Sequence, residues 1–384
     1  MAGYIFNLDN IESLKLYIDK GVYATKLNPL KNNYWSRQHE GTLADYLTMK
    51  SDDSVYFFID RKIYGIGKLI NIHSDCKFSN YPQACFAENF NYVEKKNELL
   101  WDEGELSIDQ RWLCTFQPSP CFFINGIDMD DVLASNPSAF KMLRTFWRLS
   151  FIKFDDEENQ AFKDAILRFN QDALHNPKEN ENIFKSDYRS KHNEIYRKLN
   201  KNKNYIINIS PILINCADGG YLEHEMALEA GLLHQISYND EETKDIFGRW
   251  DYLSHQVVAS PFKPIDYMDK MDAFGYRYIK EFKPTRSKYL VAEIKKDEAT
   301  INDIEQLLKY VDWVKDEYCY GDYEMINAFL IAYHFNNELI NYKKDSVSRK
   351  YIINRRPAKS YEWNNLQFVK YSFDGKKKIK FQLI

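Results

Sequence analysis

The chain has 384 residues, 44% hydrophobic and 28% charged, enough to bury the cores of two or three domains and too apolar for a mainly disordered state. No stretch approaches the roughly 18 apolar residues of a membrane span and the first ten residues lack a basic start before an apolar run, so a cytoplasmic protein with no membrane partner is expected. The formal net charge of −4 hides an asymmetry: residues 341–384 carry twelve Lys or Arg against three acids, a net +9 that would draw a polyanion.

In chain order, residues 1–170 read as a β-rich domain. The run Val55, Tyr56, Phe57, Phe58 followed by Ile63, Tyr64, Gly65, Ile66, Gly67 predicts a hairpin with a glycine-softened second strand. Helical spacing follows at 128–135 and 137–146, then a strand at 149–154. An amphipathic helix at 155–169 has acids Asp155, Asp156, Glu157 and Glu158 in its first turn. Residues 171–204, rich in Asn, Lys, Glu and Asp, read as a polar linker or exposed helix.

Beyond it, strands are expected at 205–215, 255–259, 272–280, 289–294, 328–334 and 366–373, with helices at 222–235 and 302–315. That order makes 205–384 an α/β domain with a mixed sheet. The six cysteines (Cys76, Cys85, Cys114, Cys121, Cys216, Cys319) contain no C-x-x-C pair, which argues against a structural zinc or a disulfide framework.

Four Glu-x-Lys triplets occur, at Glu94, Glu242, Glu281 and Glu293. Only Glu293-Ile294-Lys295 ends an apolar strand and precedes a well-formed helix. Period-two geometry sets Glu293 and Lys295 on one face, and a hairpin would bring Asp272 beside Glu293. Two carboxylates sharing so small a space call for a cation, and hard oxygen ligands suit Mg²⁺ or Mn²⁺. On the helix, Gln306 and Tyr310 are four apart and lie stacked on one face.

Asp272, Glu293-Ile294-Lys295 and Gln306-x-x-x-Tyr310 together resemble the PD-(D/E)XK nuclease superfamily, particularly its Q-x-x-x-Y branches, over about residues 205–375. The resemblance implies a restriction-endonuclease-like α/β core that hydrolyses phosphodiester bonds in double-stranded DNA. Asp272, Glu293 and a helix acid would hold the metal. Glu225 is the match for that acid, with Glu229 or Glu223 as alternatives. The proline usual before the first acid is absent at Met271, which leaves Asp266 and Asp269 as rivals to Asp272. Tyr310, Arg355, Arg356, Lys376, Lys377 and Lys378 are candidates for DNA contact.

The first domain, through Leu43 to Lys50, the hairpin and 127–158, resembles PUA-like or EVE-type domains of α+β build. Such domains seat a base in an aromatic pocket, which nominates Trp35, Trp101, Trp112 and Trp147 as walls. The combination resembles modification-dependent restriction enzymes and Shedu-type defence nucleases, and cutting both strands would favour a homo-oligomer. The alternative is a non-catalytic reader of modified DNA or RNA that keeps the nuclease-like domain for docking.

Overall fold

The computed structural model describes residues 1–26, 37–81, 91–120, 122–141, 150–176, 183–259, 269–376 and 378–384. The chain is mixed α/β and divides into two compact units, Met1–Pro211 and Ile212–Ile384.

The first unit is built on β1 (Gly3–Asn7), α1 (Ile11–Lys20), β2 (Val22–Lys26), β3 (Ser54–Ile59), β4 (Lys62–Leu69), β5 (Gln110–Pro118), β6 (Phe151–Phe154), α2 (Asp156–Phe169) and α3 (Tyr188–Lys198). Its sheet runs β2-β5-β4-β3-β1-β6, with β1 and β3 parallel and the other pairs antiparallel. The expected hairpin is β3–β4. Its two-residue turn sets both Asp60 and Arg61 at positive φ, 46° and 69°, the left-handed geometry that matches strand twist. Helix α2 is capped reciprocally: Asp155 accepts from Glu158 N–H and Glu158 accepts from Asp155 N–H, both at 3.0 Å.

Two expectations for this unit change. Of the two alternatives for 171–204, the described residues take the helical one, with one face buried: α3 turns His192 and Ile195 inward, and Ile195 and Leu199 join a core with Val22, Ala24, Phe78, Trp101 and Leu113. The few apolar residues among many charges are spaced to line one face, and that suffices. Trp101 and Trp112 are core residues at 3% and 2% exposure, with Trp112 stacked on Tyr46 at 5.3 Å, so neither walls an open cage. Trp35 and Trp147 lie outside the described residues.

The second unit contains α4 (Glu225–Ser237), α5 (Glu241–Phe247), β7 (Tyr252–Val258), β8 (Lys270–Tyr278), β9 (Arg286–Ile294), α6 (Ile301–Glu317), β10 (Ile326–Ala332), α7 (Asn337–Ser346), β11 (Arg349–Arg355), β12 (Ala358–Trp363), β13 (Leu366–Phe373) and β14 (Ile379–Leu383). A six-stranded sheet runs β7-β8-β9-β10-β13-β14. Strands β7, β8 and β9 form an antiparallel meander, β9, β10 and β13 are parallel, and β14 returns antiparallel.

Strand β9 is buried throughout Tyr289–Ile294, as befits a central strand covered on both faces. Helix α4 buries Ala227, Leu228, Ala230, Leu232, Leu233 and Ile236 and so is apolar on nearly every side. The strand expected at 205–215 is not formed. Residues 205–209 take no regular structure, and a short helix, Ser210–Asn215, begins with Pro211 in its first turn, where the missing N–H costs nothing.

Candidate active site

Asp272 and Glu293 meet because β8 and β9 pair with Ala273 opposite Ala292, which makes Asp272 and Glu293 the next facing positions. The Ile294 N–H donates to Asp272 Oδ2 at 2.8 Å, so the β9 backbone itself aims this carboxylate. Lys295 Nζ lies 2.8 Å from Glu293 Oε1 and 3.7 Å from Asp303 Oδ1. Asp303 belongs to the first turn of α6, where it accepts from the Thr300 N–H at 2.7 Å. The loop from β9 into α6 therefore fixes the lysine between a strand acid and a helix-cap acid.

The electrostatics show a site that lacks positive charge. Burial, then the neighbouring Glu229 and Glu293 carboxylates, push Asp272 well above the usual range. Burial raises Glu293 to about 7 against the pull of Lys295. Burial opposes the Lys295 charge, yet Glu293, Asp272 and Glu225 outweigh it and raise its pKa above the ordinary value. Glu293 Oε2 is buried with no hydrogen-bond partner among the described residues. An orphaned carboxylate oxygen is costly unless something electropositive meets it.

Helix α4 sends two acids toward this point, four residues apart on one face. Glu225 accepts from the Lys296 N–H at 3.4 Å, at the C-terminal end of β9. Glu229, 2% exposed, accepts from Gln256 Nε2 at 3.0 Å and meets His255 Nδ1 at 3.2 Å. Glu223 precedes the helix and its N–H bonds Cys216 O. Asp269 lies just before β8, one residue outside the strand, and Asp266 lies outside the described residues.

The sequence reasoning missed Gln256. It sits opposite Asp272 in the β7–β8 register with φ +51°, a left-handed conformation in mid-strand that favours glycine. From there its amide donates to both Glu229 Oε1, at 3.0 Å, and Asp272 Oδ1, at 3.1 Å. Nothing in a strand pattern announces a left-handed glutamine, so only the backbone angle reveals it.

Gln306 Nε2 donates to Tyr310 OH at 2.6 Å. Tyr310 is buried at 2% exposure, and its pKa is raised by burial and then by Glu293 and Asp272. It therefore holds Gln306 instead of contacting DNA, because its ring faces the protein interior. Among the basic candidates, Arg356 and Lys376 are exposed. Lys378 pairs with Asp240 at 3.1 Å and Glu242 at 2.9 Å and is already neutralised, which removes it from the set of free phosphate contacts. Lys377 and the Arg355 side chain lie outside what is described.

Among the described residues, no three His, Cys, Asp or Glu side chains are arranged to enclose a metal by themselves. The orphaned Glu293 Oε2 and the raised Asp272 and Glu293 are hard oxygen donors of the kind a divalent cation takes.

No protein-family model matches the chain, and no curated protein matches it. A solved structure it is similar to is a repair endonuclease from Pyrococcus abyssi, at 23% identity and a TM-score of 0.21. The match covers 34% of this chain, which spans less than half, 46%, of that endonuclease. At that score the likeness is slight, and function is argued from the site's own geometry. No described helix is long and apolar enough to cross a membrane.

Proposed function

We propose that the protein is a metal-dependent DNA endonuclease whose centre is Asp272, Glu293 and Lys295, with Mg²⁺ or Mn²⁺ held by the two carboxylates and Glu225 at the rim. One observation carries the reading. A buried carboxylate with one oxygen on a lysine and the other oxygen orphaned stands beside a second carboxylate whose pKa is raised. A structural salt bridge has no use for the second acid; a cation site does.

The chemistry a bound divalent ion would supply is polarisation of the phosphoryl oxygen and a lowered pKa of bound water. The protein's own groups do the rest. Lys295, with its pKa raised, stays an ammonium at neutral pH and so stabilises charge developing on the phosphate; it does not abstract a proton. Gln306, steadied by Tyr310, supplies a neutral amide to orient substrate or water. Gln256 and the Ile294 N–H fix the direction in which Asp272 presents its oxygens.

Incubating supercoiled plasmid and linear duplex DNA with Mg²⁺, Mn²⁺ or EDTA tests the reading: cleavage with either metal and none with EDTA is expected. No cleavage under any of these conditions overturns it. A restriction or anti-phage role adds that the intact protein, and not Lys295→Ala, lowers phage plating on cells that express it.

For the first unit, the sensing role we propose moves from the tryptophans to a cavity of about 350 Å³. Its lining includes Asp9, Glu103, Thr25, Ser150 and the partly exposed Tyr17. Carboxylates beside hydroxyls suit a ligand that carries N–H donors.

Two expected results arise from the site. Gln256→Gly relieves the left-handed backbone while removing the amide, so the fold is kept while Mn²⁺ affinity falls about tenfold or more. Titration calorimetry alongside a melting curve checks this. Glu293→Gln removes a carboxylate that the metal-free fold destabilises. Because its pKa is raised to about 7, the metal-free protein loses stability as pH rises from the unfolded value near 4.5 through 7. In EDTA at pH 8 the variant should melt higher than the parent, by about 1 kcal/mol of stability, and should not cleave. A lower melting point at pH 8 refutes the charge-frustrated site.

A further inference from the structure

Strands β11 and β12 form a two-stranded ribbon that makes no strand pairing with the six-stranded sheet. Its base is fastened firmly. Arg349 makes a forked ion pair with Asp312 of α6 at 2.9–3.2 Å, and Tyr323 OH donates to the same carboxylate at 2.8 Å. Trp363 Nε1 donates to Ile326 O at 3.0 Å, and Tyr351 is buried against Tyr323.

Beyond that base the ribbon stands in solvent. Residues Ala358, Lys359, Ser360, Tyr361 and Glu362 are all exposed, and so are Ile352 at 64%, Ile353 at 42% and Tyr361 at 43%. An isolated two-stranded ribbon is marginal in water, and large apolar side chains left uncovered on one mark a contact surface. Its charge names the partner. Between 350 and 362 the sequence places Lys350, Arg355, Arg356 and Lys359 against Glu362 alone. Such a ribbon repels a second copy of itself and attracts a polyanion.

We infer that the β11–β12 ribbon enters the major groove of duplex DNA, its basic residues on the phosphates and the exposed cross-strand pair Ile352 and Ser360, which share one face, against base edges. Seven residues of strand reach about 23 Å, and a major groove about 12 Å wide admits a two-stranded ribbon. Its anchor, Ile326, pairs with Tyr289, four residues along β9 from Glu293, so the ribbon is rooted about 13 Å down the sheet from the carboxylates. It would grip DNA several base pairs from the bond being cut. This inference rests on the DNA reading of the preceding subsection.

The test uses the full chain carrying Lys295→Ala, a fluorescent 30-base-pair duplex and anisotropy in EDTA across a salt series. Arg356→Ala with Lys359→Ala should weaken binding at least tenfold and reduce the slope of log affinity against log salt by about 2, near 0.9 for each phosphate no longer neutralised. Ile352→Ser with Ser360→Ala should weaken binding and leave that slope unchanged. All four positions are exposed, so melting curves should match the parent. Parental affinity and slope in both double variants overturn the inference, as does a change in sedimentation mass that shows the ribbon joining two copies. Loss of duplex binding in the variants, with an unsubstituted chain that binds DNA but never cleaves it with Mg²⁺ or Mn²⁺, keeps the ribbon and rejects the nuclease. Cleavage by the unsubstituted chain with metal, alongside unaltered binding by the variants, does the reverse.

Discussion

Lys295→Ala is expected to lower the rate of metal-dependent DNA cleavage by about 10²- to 10³-fold while leaving the fold intact. The ammonium is held 2.8 Å from Glu293 Oε1 and is 25% exposed, so it is packed enough to be oriented and open enough to meet a phosphate. Its removal leaves Glu293 buried with both oxygens short of partners, which should raise the demand for a cation; the variant is expected to retain metal binding. Single-turnover cleavage at saturating metal, beside a metal titration, separates these effects. A loss that extra metal restores would make Lys295 an organiser of the carboxylates and not a stabiliser of the reacting phosphate. Lys295→Arg should recover little, because a planar guanidinium does not fit between Glu293 and Asp303 as an ammonium does.

Trp112→Ala should cost the first unit about 3–5 kcal/mol, the range for deleting a buried large aromatic. Trp112 is stacked on Tyr46, whose hydroxyl bonds both Phe78 O at 2.7 Å and Leu113 O at 2.9 Å. The cavity would therefore loosen three segments of the unit at once. Thermal unfolding followed by near-ultraviolet circular dichroism reads this loss. A variant that keeps its melting profile and changes its DNA preference would return Trp112 to the role of a base cage.

The strand that carries Glu293 was the most legible part of the chain. Glu293 and Lys295 could be read because the apolar run Tyr289–Ala292, with Ile294 beyond it, makes a central strand whatever its surroundings, and a period of two then fixes which side chains share a face. Asp272 followed from the hairpin, and Gln306 and Tyr310 from helical spacing. An exposed helix was one of the two readings for 171–204, and what stayed hidden was the buried face of α3, because composition averages over faces: Ile195 and Leu199 anchor it although nearly every other residue is polar. Trp101 and Trp112 misled in the opposite sense, since a list of aromatic residues carries no exposure. Gln256 and the Lys378 ion pairs lie beyond local pattern, set respectively by a backbone angle and by residues more than 130 positions away.

The β7–β8–β9 meander also sets an order of assembly. Strands β8 and β9 are joined by a short turn in which the Ile279 N–H bonds Thr285 O and the Thr285 N–H bonds Phe282 O, both at 2.8 Å. Closing so short a loop is fast and entropically cheap, whereas seating β10 and β13 in parallel requires crossovers through α6 and α7. Asp272 and Glu293 belong to the part with short closure, and Glu225 and Glu229 belong to a helix that must dock from outside it. The carboxylate pair can therefore form before the domain around it is complete. A divalent ion present during refolding should then accelerate the early phase and not only stabilise the end state, so that Mn²⁺ shortens refolding in the parent chain and not in Glu293→Gln.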